Sequence, residues 1–405
     1  MTSNEYSSEI KDGNLTSEPL KPRPILLAIG IAISAVLPVF LTGTLAVQIK
    51  NDIDFTPSHL GAAVAVFFLF AALSSFISGH LSHRVDDAKV IRFCMIASSI
   101  VLLGIGTVAR NYPTLVLLLA VAGTINGSLQ PSINLFISRA IPARRQGFAF
   151  GVKQAAVPLA TLLAGLAVPT IALTIGWRFA FLGVAPLGII FFFLSPKSIQ
   201  LVEDLPANSA RAERPSAAPI VMLAIGMGFG TGAANAFAAF LVSFAVHSGW
   251  KPGLAGLLIV FGSAIGVTAR VGHGLLADRR HGRHFIFATW SAIVGGLGYL
   301  LFVLGYGWLI IPATVIGYGA GWGWNGLFIF AVVRNFTKFA GYATGIVQSG
   351  AYIGSVIGPL GFGLAVERVG YPFAWTMAAL SAFAAAIAVA IARRLVLSRE
   401  PGAVG

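Results

Sequence analysis

Charged residues are scarce in this chain. Of its 405 residues, 10% are charged and 57% are hydrophobic, whereas an ordinary soluble domain has about 25% charged residues. This composition excludes water as the only solvent of the protein. Apolar runs of about 20 residues recur along the chain, and each is long enough to cross about 30 Å of hydrocarbon as a helix. We predict twelve such helices, six in each half of the sequence.

Residues that form disulfides, metal sites or phosphate loops are also lacking. Cys94 is the single cysteine, which excludes an intramolecular disulfide. The seven histidines lie near predicted helix ends, without the cysteine or carboxylate ligands that would complete a metal shell. The glycine-rich stretch Gly317–Gly326 lies within an apolar helix and lacks the Gly-Lys-Ser/Thr of a phosphate loop. We therefore expect no enzyme activity, no metal and no cofactor.

Acidic residues are few, with 14 Asp and Glu against 27 Lys and Arg and a net charge of +13. In a soluble protein this excess would suggest nucleic acid as a partner, but its placement favours a membrane. If the N terminus is cytoplasmic, most Lys and Arg fall in tails and cytoplasmic loops, as the positive-inside rule requires. Five fall on the outer side, namely Lys50, Arg110, Arg178, Lys251 and Arg368. We expect a plasma (bacterial inner) membrane protein with both termini cytoplasmic, the lipid bilayer as its partner and no nucleic acid.

One stretch of the sequence occurs twice. Residues Gly147–Phe181 recur without a gap as Gly341–Trp375. The chain is therefore two copies of one half, and a parallel repeat of several membrane helices is typical of one large class of secondary transporters. The residues that reappear include Gly147, Ala149, Gly151, Gln154, Gly176, Phe179 and Ala180, as Gly341, Ala343, Gly345, Gln348, Gly370, Phe373 and Ala374.

The predicted organisation is an all-α membrane protein with two pseudo-symmetric six-helix halves. The polar N-terminal residues lack the charged segment and following apolar segment of a signal peptide, so we expect a disordered tail. A polar, proline-containing segment separates the two halves. The predicted boundaries are a cytoplasmic tail over 1–22, the first half over 23–194, a cytoplasmic linker over 195–218, the second half over 219–396 and a cytoplasmic tail over 397–405.

A loop in the second half carries a family signature. Residues Gly274–Arg283 read GLLADRRHGR, which resembles the G-x-L-a-D-R-x-G-R signature of the major facilitator superfamily with one residue inserted before Gly282. In the first half, Gly79–Arg84 keeps the glycine, the leucine and the arginine, but His83 stands where the signature has aspartate.

This resemblance implies both a fold and a gate. The fold is a bundle of twelve helices in two halves that rock around a central site. In this family the aspartate and arginine of the signature bridge helix ends and hold the outward-facing state, which gives Asp278 and Arg279 a gating role. The gating residues that the resemblance implies are Gly274, Asp278, Arg279, Arg283, Gly79 and Arg84.

Two cations lie inside predicted membrane helices, Lys153 in helix 5 and Arg270 in helix 8. At about 1.5 Å per residue, each lies roughly 12 Å from the cytoplasmic helix end. Their repeat partners are Val347 and Ser75, so both charges break the symmetry of the two halves. A charge at the bilayer centre costs roughly 2.5 to 3.5 kcal/mol, and no acidic residue lies deep in an apolar run.

By resemblance to the family, helices 5 and 8 face each other across the two halves. An arginine at the place of Arg270 binds substrate in the monocarboxylate and oxalate/formate exchanger branches, whereas Gly266 stands where proton-coupled members often have an acidic residue. Our hypothesis is a small organic anion held between Lys153 and Arg270, because arginine offers a planar fork and lysine a mobile charge. The predicted substrate-binding residues are Lys153, Arg270, Gln154, Asn325, Trp324, Gln348 and Tyr352.

Structural alternatives exist for both cations. Lys153 would extend toward the cytoplasmic surface if its helix is tilted. Arg270 would brace helix ends or bond to backbone carbonyl groups.

The function that follows is secondary active transport of a small organic anion, a carboxylate, by alternating access. An exporter of drug-like or neutral small solutes is the alternative, with structural cations. A non-transporting membrane receptor or scaffold on the same fold is a further one. The sequence leaves open the identity of the solute, the direction and coupling of transport, and the oligomeric state, for which a monomer is one interpretation.

Overall fold

The computed structural model describes residues 22–81, 86–141, 149, 151–196, 216–279, 284–336 and 339–398. Every regular element within these ranges is a helix. Twelve of the described helices are long and apolar enough to cross a membrane, which confirms the predicted number. The tails and most of the linker lie outside the described residues, so the predicted domain boundaries stay predictions.

Each half contributes six spans, named here in chain order. The first half has α1 (Pro22–Thr44), α2 (Pro57–Leu81), α3 (Asp87–Thr107), α4 (Tyr112–Ala140), α5 (Gly151–Ala172) and α6 (Trp177–Leu194). The second half has α7 (Ala217–His247), α8 (Pro252–Arg279), α9 (His284–Val303), α10 (Gly307–Asn335), α11 (Ala340–Arg368) and α12 (Tyr371–Leu397).

Side-chain caps fix the start of two helices. The Asp86 carboxylate accepts a hydrogen bond from the backbone N of Ala88 at 3.0 Å, which starts α3. The Asn111 side-chain oxygen accepts one from the backbone N of Thr114, also at 3.0 Å, which starts α4. Such caps satisfy backbone N–H groups that have no partner inside the helix.

The sequence repeat is visible in the backbone. Gly176 precedes α6 with a φ of 107°, and its repeat partner Gly370 precedes α12 with a φ of 115°. Residues with a side chain rarely adopt this conformation, which glycine adopts without a steric penalty. The same turn at equivalent positions supports the interpretation of the chain as a duplicated half.

Small residues bring helices into close contact inside the second half. Gly350, Gly354 and Gly358 of α11 lie against backbone carbonyl groups of α7, where an added Cβ would overlap them. Lipid does not drive helices together by the hydrophobic effect, so close van der Waals packing of this kind holds membrane helices together.

Among the described residues, the helix pairs that join the two halves include α1 with α7, α2 with α11 and α5 with α8. On α2 and α11, the backbone N of Ser58 donates to a carboxylate oxygen of Glu367 at 2.9 Å. On α5 and α8, the hydroxyl groups of Thr161 and Ser263 share a buried hydrogen bond of 2.7 Å. The contact between α5 and α8 agrees with the expectation that these helices face each other.

Candidate functional site

Lys153 is buried, with 8% of its surface exposed. Its Nζ donates to Oε1 of Gln130 at 2.8 Å and to Oδ1 of Asn134 at 2.7 Å, both on α4. Nε2 of Gln130 in turn donates to Oδ1 of Asn126 at 3.4 Å. The lysine therefore ends in a row of neutral amides on α4, in which Asn126 is buried, Gln130 is half-buried and Asn134 is exposed.

Arg270 is also buried, with 7% of its surface exposed. One guanidinium nitrogen donates to the backbone oxygen of Gln154 on α5, and another donates to the backbone oxygen of Trp322 on α10 at 3.2 Å. The guanidinium carbon lies 5.4 Å from the centre of the Trp322 ring, within the range of a cation–π interaction. Bonding to backbone carbonyl groups, one of the structural alternatives for Arg270, is thus what the structure shows.

The guanidinium of Arg270 contacts the α5 main chain next to Lys153, whose own ammonium group contacts α4. Arg270 reaches from the second half to the carbonyl group of Gln154, the residue that follows Lys153 in the chain. Among the described contacts of either cation there is no carboxylate. Removing an ion from water costs several kcal/mol, and neutral acceptors leave the net charge of the site positive.

The chain breaks α10 beside Arg270. A π-helical turn covers Gly317–Gly321, and α10 resumes as a regular helix at Asn325. Two backbone carbonyl groups beyond this turn accept hydrogen bonds from side chains of α8. The carbonyl group of Trp322 accepts from Arg270, and that of Gly323 accepts from Nδ1 of His273 at 3.1 Å. Such π-turns are frequent at functional sites, and broken helices in transporters form substrate and ion sites.

Aromatic and hydroxyl groups complete the surroundings of Arg270. The Trp322 ring centre lies 5.9 Å from that of Phe40 on α1 and 5.6 Å from that of Tyr318. The Tyr318 side chain lies near the hydroxyl pair Thr161 and Ser263. Helices α1, α5, α8 and α10 therefore all contribute to the site.

Asn325 has a side-chain oxygen that is buried and has no hydrogen-bond partner among the described residues. An unpaired buried polar atom costs roughly 1–3 kcal/mol. Asn325 is the first residue after the break in α10, so this unpaired acceptor lies at the start of the second part of that helix.

No described hydrogen bond joins the side chains of the remaining predicted binding residues to either cation. Tyr352 of α11 interacts with Ser75 of α2, and Gln348 is exposed on α11. Trp324 is buried inside the second half, where its ring centre lies 5.3 Å from that of Phe328 and its Nε1 donates to the backbone oxygen of Gly321 at 2.9 Å. Trp324 thus serves helix packing, and Trp322 is the tryptophan that contacts Arg270.

Comparison with known proteins decides the family. The model of the Major Facilitator Superfamily matches residues 27–341, which is most of the chain. The chain belongs to the Major Facilitator Superfamily. Its fold and membership make it an integral membrane protein of a transporter family rather than an enzyme, as the signature in Gly274–Arg283 indicated.

Two relatives of this chain have names that point to different functions. A hexuronate transporter of Bacillus subtilis is 23% identical over 167 residues, 40% of this chain, and the match spans 39% of that protein. The transcription regulatory protein OpdE of Pseudomonas aeruginosa is 26% identical over 371 residues, which cover 85% of this chain and 88% of that protein.

Solved structures show the same superfamily fold. The crystal structure of a bacterial homologue of the human lysosomal transporter Spinster, inward-facing and unoccupied, superimposes with a TM-score of 0.67 at 16% identity. It covers 93% of this chain and 97% of its own. The occupied, inward-facing form of that protein gives a TM-score of 0.66 with the same coverage and identity.

The predicted gate of this superfamily member stays a prediction. Gly274, Asp278 and Arg279 lie in the last turns of α8, and Gly79 lies near the end of α2, but none of their side chains is among the described ones. Arg84 and Arg283 lie outside the described residues.

Two features of the site were not predicted from the sequence, namely the amide partners of Lys153 and the break in α10. The predicted binding residues do not include Gln130 and Asn134 of α4, which are the hydrogen-bond partners of Lys153. The prediction also treated the glycine-rich run from Gly317 as continuous helix, although the structure breaks there. The usable signal was the density of glycine in that run beside Trp322, since glycine weakens a helix.

Proposed function

We propose that this protein is a secondary transporter that moves a small organic anion by alternating access, with Lys153 and Arg270 holding the charge. One observation carries the proposal: both cations are buried, and their described partners are neutral amides and carbonyl groups. A bound carboxylate supplies the missing counter-charge. Helix packing alone requires neither cation, because the repeat partners are Val347 and Ser75.

The two cations have different parts in this proposal. The Arg270 guanidinium is fixed in orientation by two carbonyl groups and by the Trp322 ring, which suits a planar carboxylate. The Lys153 ammonium is held by two amides of α4 and approaches the anion as a compact charge. Together they attract the anion from both halves, so binding favours closure of the halves around it.

Polar neutral groups around the cations support a hydroxylated carboxylate. The amides Asn126, Gln130 and Asn134 line one face of α4, and Asn325 offers an unpaired oxygen. Amide groups both donate and accept hydrogen bonds, so they fit the hydroxyl groups of a sugar acid. The match to a protein named hexuronate transporter points in the same direction.

Orientation and gating belong to the same proposal. The excess of basic residues in the tails and predicted cytoplasmic loops supports a location in a bacterial inner membrane with both termini cytoplasmic. Asp278 and Arg279, at the end of α8, would bridge helix ends on the cytoplasmic side while the site faces outward.

Counterflow into proteoliposomes tests this function. Vesicles containing the full-length protein are preloaded with glucuronate, succinate, inorganic phosphate or glucose, and entry of the same labelled solute is measured. We expect counterflow of at least one carboxylate and none of glucose. Arg270→Gln and Lys153→Gln each lower carboxylate counterflow at least tenfold, since removing a buried hydrogen-bonded charge costs 2–5 kcal/mol and about 1.4 kcal/mol is tenfold.

Lys251→Gln is the matched control, because Lys251 is an exposed cation before α8. We expect this variant to match the unmodified protein. Unchanged carboxylate counterflow in both site variants would contradict the proposal and favour an exporter of neutral or drug-like solutes.

A regulatory membrane protein is a second candidate function. It is favoured by the match to OpdE, a protein named for transcription regulation, along 85% of this chain. Absence of counterflow for every solute in the panel, with correctly folded and inserted protein, would support this candidate against transport.

A further inference from the structure

The N-terminus of α2 is capped in part by a residue of the other half. Thr56, the residue before the helix, accepts a hydrogen bond through its Oγ1 from the backbone N of His59 at 3.2 Å. The backbone N of Ser58 donates instead to Oε2 of Glu367, near the end of α11, at 2.9 Å. The first N–H groups of a helix have no partner within it, so the Glu367 carboxylate completes the cap of α2 from across the boundary between the halves.

The surroundings of the Glu367 carboxylate favour this bond. The side chains of Thr56 and Ser58 also interact with it, and the N-terminus of a helix has a partial positive charge that attracts a carboxylate. One turn earlier in α11, Gly363 lies against the backbone oxygen of Pro57, where an added Cβ would overlap that oxygen. This backbone contact brings the start of α2 within reach of Glu367.

The sequence repeat supplies a comparison, because α8 and α5 are the counterparts of α2 and α11. Allowing for a shift of one residue, Gly61 of α2 and Gly256 of α8 are repeat partners. An added Cβ at Gly61 would overlap the backbone oxygen of Pro359 on α11. An added Cβ at Gly256 would overlap that of Gly165 on α5, the repeat partner of Pro359. The two interfaces therefore share one close backbone contact.

The two interfaces differ one to two turns further out. The repeat partner of Glu367 is Leu173, and the repeat partner of Ser58 is Gly253. Cδ1 of Leu173 lies 3.5 Å from the position of a Cβ at Gly253, which is an ordinary apolar contact. An apolar contact is thus sufficient for packing of the halves at this place, and packing does not require the carboxylate of Glu367.

We propose that Glu367 is a latch, a residue whose bond to the start of α2 holds the two halves closed on the outer side. In the proposed orientation α1 starts at the cytoplasmic side, so α2 begins and α11 ends on the outer side. The bond forms only while these two helix ends are in contact, and it therefore stabilises the outer-closed arrangement. Asp278 and Arg279 lie at the opposite end of α8, so the latch is separate from the predicted cytoplasmic gate.

Exposure of Glu367 makes the latch reversible. The side chain is exposed, so water replaces Ser58 as its partner when the halves separate, and no buried charge is left without a partner. The described contacts of Glu367 include neither Lys153 nor Arg270. The latch therefore acts on the balance between closed and open states whichever solute is transported.

Distances between two spin labels test the inference without any solute. The labels are attached at Arg110→Cys and Tyr306→Cys, two exposed positions in opposite halves on the outer side, with Cys94→Ala as background. Double electron-electron resonance of the full-length protein in lipid nanodiscs gives the populations of the short, outer-closed distance and the long, outer-open distance. We expect Glu367→Gln to raise the ratio of long to short roughly two- to fivefold, the range for a surface charge at a helix terminus.

Asp54→Asn is the matched control. Asp54 is an exposed carboxylate in the loop before α2, and its backbone oxygen lies 3.1 Å from Nδ1 of His59. We expect this variant to have the populations of the unmodified protein. Unchanged populations in Glu367→Gln would overturn the inference, and so would an equal change in Asp54→Asn, because surface charge alone would then explain the effect.

Moving the carboxylate to the other interface tests the latch by gain of function. Glu367→Leu makes both interfaces apolar, so we expect the long distance to increase. Adding Leu173→Glu places a carboxylate opposite the N–H of Gly253 at the start of α8, and we expect the short distance to return. Both substituted side chains are exposed, so these variants keep the packed core. A double variant as open as Glu367→Leu alone would contradict a latch formed by the carboxylate.

The outcome is independent of the proposed function. Failure of every carboxylate in the counterflow panel leaves the latch standing, because the distances are measured without solute. Unchanged distances in Glu367→Gln overturn the latch and leave anion transport by Lys153 and Arg270 intact.

Discussion

The guanidinium of Arg270 in α8 donates a hydrogen bond to the backbone oxygen of Gln154 in α5. A residue of the second half is therefore bonded to the main chain of the first half beside Lys153. This bond has to break or move when the two halves change their relative position. In our proposal, Arg270 therefore both binds the substrate and connects the two halves that move relative to each other.

We predict that lysine does not replace arginine at position 270. Arg270 contacts Gln154 and Trp322 at the same time through different nitrogens, whereas a lysine places one compact charge on a flexible chain. We expect glucuronate counterflow of Arg270→Lys to fall about tenfold, with Arg270→Gln lower still, in the vesicle assay. Equal activity of Arg270→Lys and the unmodified protein would show that charge alone suffices.

Close contact of α11 with α7 makes Gly354 sensitive to substitution. An added Cβ there would overlap the carbonyl group of Gly228, and overpacking typically costs 1–3 kcal/mol. We expect Gly354→Ala to lower the melting temperature of the purified protein. Gly361→Ala on the same helix is the control, because a Cβ at Gly361 meets no atom within 4 Å, and this variant retains or raises the melting temperature.

The duplicated turns before α6 and α12 make a matched pair of sites. Gly176 and Gly370 both combine a positive φ with a ψ of 152° and 170°, respectively, a region essentially limited to glycine that costs a residue with a side chain roughly 1–3 kcal/mol. We expect Gly176→Ala and Gly370→Ala to lower the melting temperature by similar amounts. Gly183→Ala in α6, where a Cβ has open space, is expected to be neutral or stabilising.

Asp52 gives a pH dependence outside the membrane spans. The hydrogen bond from Trp177 Nε1, at 2.9 Å, and then the Arg178 guanidinium lower the pKa of the Asp52 carboxyl below its ordinary value. A lowered pKa in the folded state contributes stability above the unfolded pKa, and this stability is lost as the pH falls through the folded pKa.

The expected size of the Asp52 effect is small, because 44% of the side chain is exposed. Exposed pairs contribute less than about 1 kcal/mol. We expect Asp52→Asn to lower the melting temperature slightly at pH 7, with the difference shrinking once the pH falls below the ordinary carboxyl pKa. A difference between the two proteins that grows on acidification would contradict this role.

Sequence pattern predicted the architecture because membrane physics leaves few alternatives. Long apolar runs in lipid must be helices that satisfy their own backbone groups, and the recurrence of Gly147–Phe181 indicated the two halves. The same pattern singled out Lys153 and Arg270, since charges are rare in such helices and these two are not repeated.

Details of the site depend on contacts between helices and could not be read from one sequence. Which amides of α4 reach Lys153 depends on how α4 and α5 pack. Trp322 and Trp324 are two residues apart, and the break in α10 decides that the former contacts Arg270 while the latter is buried beside Phe328. Local sequence shows the glycines of that run but not the direction in which each ring points.

Ligand-dependent stabilisation of the purified protein tests the central claim most directly. The melting temperature is measured with glucuronate, succinate, inorganic phosphate or glucose, because a ligand at about 100 times its Kd adds about 2.7 kcal/mol to the stability of the folded state. We predict that a carboxylate raises the melting temperature, that glucose does not, and that the double variant Lys153→Gln, Arg270→Gln loses the effect. A carboxylate shift of the same size in the double variant, or a shift with glucose alone, would contradict an anion site formed by these two residues.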